Sequence, residues 1–373
     1  MPKIMASKPK VLILGGLGFV GRNLVCYLIE HKLCSKIRAV DKVPPQTAWL
    51  NERHKAAFNH DSVEFKSANL IHPASVESAF RDSGGDFDIC INCAAETRYG
   101  QSEEVYADGV FKLSINCAKQ ARESNVKRYI EISTAQVYSC DKGISNEDSK
   151  KSPWTHIAKY KLMVEQEIAK LDGLNFIVVR PAIIYGKADR QGLMPRLIIG
   201  AVYKQMEEKM KLLWTKDLKM STVHVIDVCR ALWHLTSHGS SGDVFNLADK
   251  SDTSQGSITD IVCEIFGIEH DYFGTVLSNM ARLNMAGTVD DSNEKHLEPW
   301  SAACEKDGIH STPLSPYLDQ ELLYDNHLFV NGSKIEESGF SYNYPELTPE
   351  LLKEVLDDYV ETGLFPPSLV HAR

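Results

Sequence analysis

Over residues 10–180 the chain alternates short, unbroken apolar runs with segments whose apolar residues recur at helical spacing. Lys10–Leu14, Lys36–Asp41, Val63–Ser67, Phe87–Asn92, Arg128–Ser133 and Phe176–Arg180 read as strands. Val20–His31, Ala74–Asp82, Glu104–Glu123 and Ile157–Lys170 read as helices. The strands are apolar throughout rather than alternating, as expected when both faces are covered. Strands separated by helix-length segments need crossover connections, which predicts an α/β fold with a doubly wound parallel sheet. After Gly186 the pattern loosens. Arg196–Lys211 looks helical, Thr222–Val225 and Val244–Leu247 look like strands, and Leu351–Thr362 is an amphipathic helix. Residues 267–330 are rich in Pro, Asp and Asn with little periodicity. The expected division is a first domain over 1–190, its sheet completed by segments near 222–250. A smaller C-terminal lobe for substrate takes 191–221 and 251–373.

Composition changes the picture only by exclusion. The 373 residues carry 41 Lys plus Arg against 50 Asp plus Glu, a net charge of −9, and 43% are hydrophobic. That charge disfavours nucleic acid and anionic membranes as partners, because neither polyanion is attracted at long range. No apolar stretch approaches the roughly 18–20 residues that span a bilayer, and the polar start lacks a signal-peptide core. Nine scattered Cys fit reduced thiols, so a cytoplasmic location is expected. Cys90 and Cys93 form a lone C-x-x-C, read as strand-end packing. His234 and His238 read as a solvated face, and no metal-ligand spacing is found. Asn331-Gly332-Ser333 fits a glycosylation sequon but has no secretion signal to go with it.

The strongest chemical signal is a buried strand, Val11 to Leu14, running into Gly15-Gly-Leu-Gly18-Phe19-Val20-Gly21 and then a helix. Gly15 permits a tight turn, Gly18 lets backbone approach a pyrophosphate, and Gly21 lets the helix pack on the strand. The helix N-terminus offers free N–H groups and a positive dipole end. Asp41 ends the second strand, where its carboxylate can accept both ribose hydroxyls and repel a 2′-phosphate. NAD is therefore the expected cofactor, on a Rossmann-type sheet, with Arg22, Arg38 and Lys42 as nearby cations.

These residues, with five further segments, resemble the extended short-chain dehydrogenase/reductases of the NAD-dependent epimerase/dehydratase group, which includes sugar-nucleotide epimerases, dehydratases and 3β-hydroxysteroid dehydrogenases. Asn69-Leu70 stands where that family has an acid and an apolar residue beside adenine. Asp88 to Ala94-Ala95 resembles its strand ending in His-x-Ala-Ala. Ser133-Thr134-Ala-Gln-Val137-Tyr138 resembles Ser-Ser-x-x-Val-Tyr, and Arg180-Pro181-Ala-Ile-Ile-Tyr185-Gly186 resembles Arg-Pro-x-x-Val-Tyr-Gly. Val223-His224-Val-Ile-Asp227-Val228 resembles Val-His-Val-x-Asp-Val. The resemblance implies cofactor contacts from Gly15, Gly18, Phe19, Val20, Gly21, Asp41, Asn69, Leu70, Ala94, Ala95, Lys161 and Pro181. It also allows a homodimer, since the family commonly pairs through two long mid-sheet helices.

In such enzymes a Tyr exchanges the proton on the substrate oxygen while nicotinamide exchanges hydride at the same carbon. A Lys four residues on, on the same helix face, holds the ribose, and a Ser or Thr shares the oxygen. The segment Ile157-Ala-Lys-Tyr160-Lys161-Leu-Met-Val-Glu165 puts Lys161 on the family Lys and Ile157 on the family Tyr. Thr134 takes the Ser/Thr position. Three readings follow: a degenerate NAD(H)-binding regulatory or scaffold protein; an enzyme whose proton comes from Tyr160, His156, Tyr99 or Tyr106; or a step that needs no phenol. The catalytic set is taken as Thr134, Tyr160 and Lys161. The expected function is an NAD-dependent oxidoreductase or epimerase acting on a hydroxyl-bearing small molecule, a sugar nucleotide or, alternatively, a steroid. His224 and Asp227 read as structural, with Asp227 as a helix cap. Arg196, Lys204, Lys209 and Lys211 read as a charged surface helix or, less commonly, as a phosphate contact. Met194, Met206, Met210 and Met220 read as packing.

Overall fold

The computed structural model describes residues 8–81, 85–140 and 143–370. The first half runs β1 (Lys10–Leu14), α1 (Phe19–Glu30), β2 (Lys36–Asp41), α2 (Glu52–Phe58), β3 (Val63–Ser67), α3 (Pro73–Phe80), β4 (Ile89–Asn92), α4 (Glu103–Tyr106), α5 (Leu113–Glu123), β5 (Arg128–Ile132), α6 (His156–Ile168) and β6 (Phe176–Pro181). The second half continues with β7 (Ile183–Tyr185), α7 (Met194–Met206), β8 (Met210–Leu212), β9 (Thr222–His224), α8 (Val225–His234), β10 (Val244–Leu247), α9 (Gln255–Phe266) and β11 (His270–Tyr272). It ends with α10 (Gly274–Leu283), α11 (Met285–Lys306), α12 (Pro349–Glu361) and α13 (Pro367–Val370). Asp82, the expected end of the third helix, lies outside the described residues.

The central sheet has seven parallel strands in the order β10-β6-β5-β4-β1-β2-β3. One face buries Leu24, Val25 and Leu28 of α1 with Val228 and Leu232 of α8. The other buries Val76 of α3, Ala118 of α5 and Val164 of α6. This double cover explains the continuous apolar strands. The chain order reverses between β1 and β4, so a crevice opens at their C-terminal ends, where ligands bind in open α/β sheets. A third core, around Trp300 and Phe365, joins α7, α9, α11 and α12 into the C-terminal lobe.

Three expectations change. Thr222–His224 does not extend the main sheet but pairs with β7, because β6 already has β5 on one edge and β10 on the other. The single helix expected over 104–123 is α4, a π-helical turn over Ala107–Lys112, and α5. The stretch 267–330 contains a 22-residue helix, α11. Its buried positions, Met285, Val289, Asn293, His296, Trp300, Ala303 and Cys304, keep helical spacing, but Asn293 and His296 dilute the apolar signal.

Candidate functional site

The corner between β1 and α1 has no room for side chains. A Cβ on Gly15, whose φ is +75°, would stand 2.6 Å from the Ala94 amide nitrogen, and one on Gly21 would stand 2.1 Å from the Gly15 carbonyl. At Gly18 it would meet only the Gly15 carbonyl, at 3.2 Å. Gly18 is the N-cap of α1 and offers no side chain; no acid occupies the first turn, and the amides of Phe19, Val20 and Gly21 have no acceptor among the described residues. Unsatisfied amides at the positive end of a helix form an anion site. The corner thus fits a dinucleotide diphosphate.

Asp41 closes one side. Its carboxylate accepts hydrogen bonds from the Leu17 amide at 3.0 Å and the Val43 amide at 3.1 Å, which aims it at the corner. Arg22 and Arg38 do not counter it. Arg22 donates to the carbonyls of Leu17, Ala48 and Trp49, and Arg38 to Glu64 and the Ala79 carbonyl.

The Gly15 corner is linked to Lys161 by buried hydrogen bonds. Asn92, the last residue of β4, accepts from the Ala94 amide (3.1 Å) and donates to Glu131 Oε2 (2.7 Å). Glu131, fully buried in β5, also accepts from Tyr129 (2.8 Å), Ser114 (3.1 Å) and Lys161 Nζ (3.1 Å). Lys161 donates further to the Ile132 carbonyl at 2.5 Å. Each Glu131 oxygen receives two donors, which satisfies the buried carboxylate. Glu165, one turn beyond Lys161, pairs with Arg180 and accepts from Ser133, fixing the rotation of α6 against β5 and β6.

That rotation sorts the expected catalytic residues onto two faces. Ile157, Lys161 and Glu165 lie one turn apart and are buried, as is Tyr160. His156 and Tyr160 face α4 instead. Tyr160 donates to the exposed Glu103 at 2.5 Å, and both rings stack on Tyr106. The structure therefore does not bring Tyr160 to Lys161. The expected reach of its phenol fails because Glu103 of α4 captures the hydroxyl. Glu103 is also the leading cause that holds the Tyr160 phenol above its usual range.

A different phenol is linked to Thr134 through Gln136. Thr134 is half-buried and its hydroxyl oxygen accepts from the Gln136 amide at 3.2 Å, leaving its proton free to be donated. The Gln136 side chain donates to the Tyr99 hydroxyl at 3.3 Å and accepts from Thr155 at 3.0 Å, and Thr155 caps α6 ahead of Ile157. Burial raises the Tyr99 phenol above its ordinary value, so it stays protonated. The loop that carries it is pinned by Tyr106, which donates to the Arg98 carbonyl, and by the Glu96 amide on the Gly109 carbonyl of the π-helical turn. Gly100 in that loop approaches Asp319 so closely that a Cβ would stand 2.4 Å from its carboxylate. Two residues on, Glu321 meets His156, whose ring Nδ1 is 2.7 Å away.

The remaining expected residues fall as follows. Leu70 and Ala94 are buried, Asn69 is exposed and accepts from the Ile71 amide, and Pro181 ends β6. Asp227 does not cap its own helix; it holds the amides of Asn343 and Tyr344, and His224 caps α8. His234 and His238 stack at 3.8 Å, with His234 on Ser338. Lys204 donates to the Leu369 carbonyl, Lys209 pairs with Glu269, and Lys211 lies over Phe273. Sequence reading missed Glu131; the one acid inside an apolar strand was its available signal. It also missed Gln136 and Glu321, for which proximity in the fold is the signal. Among the described residues there is no His, Cys, Asp and Glu group able to hold a metal, and no helix long and apolar enough to cross a membrane.

The model of the NAD dependent epimerase/dehydratase family matches residues 11–248. The chain belongs to this family. NAD is thus the cofactor, the Gly15–Asp41 corner has the geometry to hold it, and it supplies hydride exchange when bound. Curated relatives of this epimerase/dehydratase chain include the decarboxylating sterol-4-alpha-carboxylate 3-dehydrogenase of Candida albicans, 26% identical over 260 residues (66% of this chain, 72% of the relative). A ketoreductase of Stigmatella aurantiaca acting on a farnesyl dihydroquinoline oxide is 23% identical over 268 residues (70% and 74%). Among solved structures, the dTDP-glucose 4,6-dehydratase of Streptomyces venezuelae with NAD bound has TM-score 0.70 at 17% identity, covering 96% of this chain and 99% of that one. The UDP-glucose 4-epimerase of Thermotoga maritima has TM-score 0.66 at 18% identity, covering 95% and 99%.

Proposed function

We propose that this family member oxidises a hydroxyl-bearing small molecule with NAD, or reduces the matching ketone, using Tyr99 where relatives use the residue at position 157. The observation that carries this reading is the chain from Thr134 through Gln136 to the Tyr99 hydroxyl, just past the C-terminal end of β5, whose last carbonyl, that of Ile132, takes Lys161. Thr134 donates to the substrate oxygen and orients it. Tyr99 exchanges the proton at that oxygen, and Gln136 fixes the direction of the phenol. Ile157 excludes water from the inner wall. The sterol and quinoline relatives, named as a dehydrogenase and a ketoreductase, support alcohol–ketone chemistry.

The test is turnover with NAD or NADH on hydroxysteroids, ketosteroids and sugar nucleotides, comparing wild type, Tyr99→Phe, Thr134→Val and Tyr160→Phe. Loss of general acid–base help costs about 10²–10⁴-fold, so Tyr99→Phe should fall by that factor and Tyr160→Phe should not. Equal turnover in Tyr99→Phe sinks the assignment. One observation favours a second reading, a slow NAD(H)-binding protein: the Lys161 ammonium is taken up by Glu131 and the Ile132 carbonyl, next to an aliphatic Ile157. A gain of turnover in Ile157→Tyr supports that reading.

A further inference from the structure

Helix α10 (Gly274–Leu283) is turned inside out. Its inward positions are small: Ser278 and Ala281 are buried, and the Ser278 hydroxyl accepts from the Trp214 amide at 3.0 Å. Its large apolar side chains point to solvent. Val276, Leu277, Met280 and Leu283 are 51–89% exposed, and Phe273, just before the helix, is 41% exposed. Among the described residues twelve large apolar side chains are exposed, and five of them stand on or beside this one helix. Exposed apolar residues scattered singly are ordinary, whereas a contiguous patch marks an interaction surface.

The pattern of the face selects its occupant. Phe273, Val276, Met280 and Leu283 recur at spacings of three, four and three, with Leu277 beside them. That is the narrow seam along which one helix packs on another. A helix that lies in a lipid surface instead carries Lys and Arg along its polar face. α10 has no Lys, Asp or Glu, and its one Arg, Arg282, is held by Asp325 at 2.5 Å and over the Trp214 ring at 4.9 Å. The net charge of −9 gives no attraction to an anionic bilayer. The size fits a second copy. The five side chains present on the order of 500 Å² of apolar surface, and two such faces reach the roughly 1,000 Å² at which specific interfaces begin. The ends of the face differ in sign, with exposed Asp271 ahead of it and exposed Arg282 at its close. Two copies running the same way would set like charges together. Running opposite ways, each Arg282 approaches the other copy's acid and the helix dipoles oppose.

We infer that α10 is a homodimer interface, in which two copies pair antiparallel about a two-fold axis with Val276 of each opposite Met280 of the other. The face lies on the C-terminal lobe rather than on the mid-sheet helices through which the family resemblance expects pairing, and the inference holds whatever the chain catalyses.

Sedimentation velocity of the full chain, from about 1 to about 200 µM, is the test. Wild type should show a monomer–dimer equilibrium in that range, because an interface of this size is weak. Met280→Glu and Val276→Lys should each raise the dimer Kd about 100-fold or more, since each buries two unpaired charges per dimer. Both positions are solvent-exposed in the single chain, so melting temperature and NADH affinity, measured on dilute protein, should stay at wild-type values. Mixed one to one, the two variants should recover a heterodimer, with the carboxylate of one against the ammonium of the other. The inference is overturned if wild type stays monomeric, if Met280→Glu dimerises like wild type, or if the mixture recovers nothing. A dimer that breaks in Met163→Glu of α6 and not in Met280→Glu belongs to the mid-sheet helices and also overturns it. So does a wild type that stays monomeric and floats with phosphatidylcholine vesicles, which would give the face to lipid.

Discussion

Replacing Glu131 by Leu tests the buried link between the cofactor corner and Lys161. The carboxylate is fully buried and takes four donors, from Asn92, Ser114, Tyr129 and Lys161. Its loss leaves the Lys161 ammonium, 5% exposed, with the Ile132 carbonyl alone. Breaking a buried pair from one side costs about 3–5 kcal/mol, and the three orphaned neutral donors about 1 kcal/mol more each, for a cost of about 6–8 kcal/mol. At about 2 °C per kcal/mol for a large domain, the melting temperature should drop about 12–16 °C. Lys161→Met alone leaves the carboxylate uncompensated and should cost the share of the pair, about 3–5 kcal/mol. The double variant should recover about 1–3 kcal/mol relative to the sum, because neither charge is then stranded. NADH affinity should also fall in Glu131→Leu, since Asn92 loses the partner that orients it toward Ala94 and the Gly15 turn. The assay is thermal and urea unfolding of the four proteins, with and without NADH. A single variant melting within about 2 °C of wild type, or strict additivity, refutes the network.

The other predictions are separate. Tyr160→Phe should leave turnover far above the 10²-fold loss of a missing general acid, because its hydroxyl serves Glu103; steady-state rates check this. Asp41→Ser should raise NADPH affinity relative to NADH by about 10-fold or more, read by fluorescence titration with both coenzymes. His54 is fully buried with both ring nitrogens unpartnered, and burial pushes its pKa down to about 3, with Arg22, Arg53 and Lys187 adding. The unfolded chain takes up this proton near 6.5, the folded one only near 3, so stability is full above pH 6.5 and is lost as pH falls through that window. The slope is about 1.4 kcal/mol per unit. His54→Phe should flatten the fall between pH 7 and pH 4.5 in urea unfolding, and an unchanged slope would exclude His54 as its source.

Much of the sheet was legible because its inner strands are apolar on both faces, and β1, β2, β10 and the alternating edge strand β3 start and stop where the sequence pattern places them. The phosphate corner was legible because Gly15, Gly18 and Gly21 answer to local backbone geometry. The rest depended on distant contacts. Helical spacing put Tyr160 within reach of the cleft, but the capture of its hydroxyl comes from α4, 57 residues away in sequence. Glu321 lies in a stretch whose periodicity is weak, and it meets His156, 165 residues away in sequence, only in the fold.

Titrating the full chain with NADH, followed by nicotinamide fluorescence, probes the Gly15–Asp41 corner most directly. Wild type should bind saturably. Gly18→Val should weaken binding by at least about 10-fold while the protein still melts cooperatively, because a Cβ at Gly18 presses on the Gly15 carbonyl, at 3.2 Å, and far less than one at Gly21 would. No saturable binding by wild type, or equal affinity in Gly18→Val, would contradict the cofactor site on which the function rests.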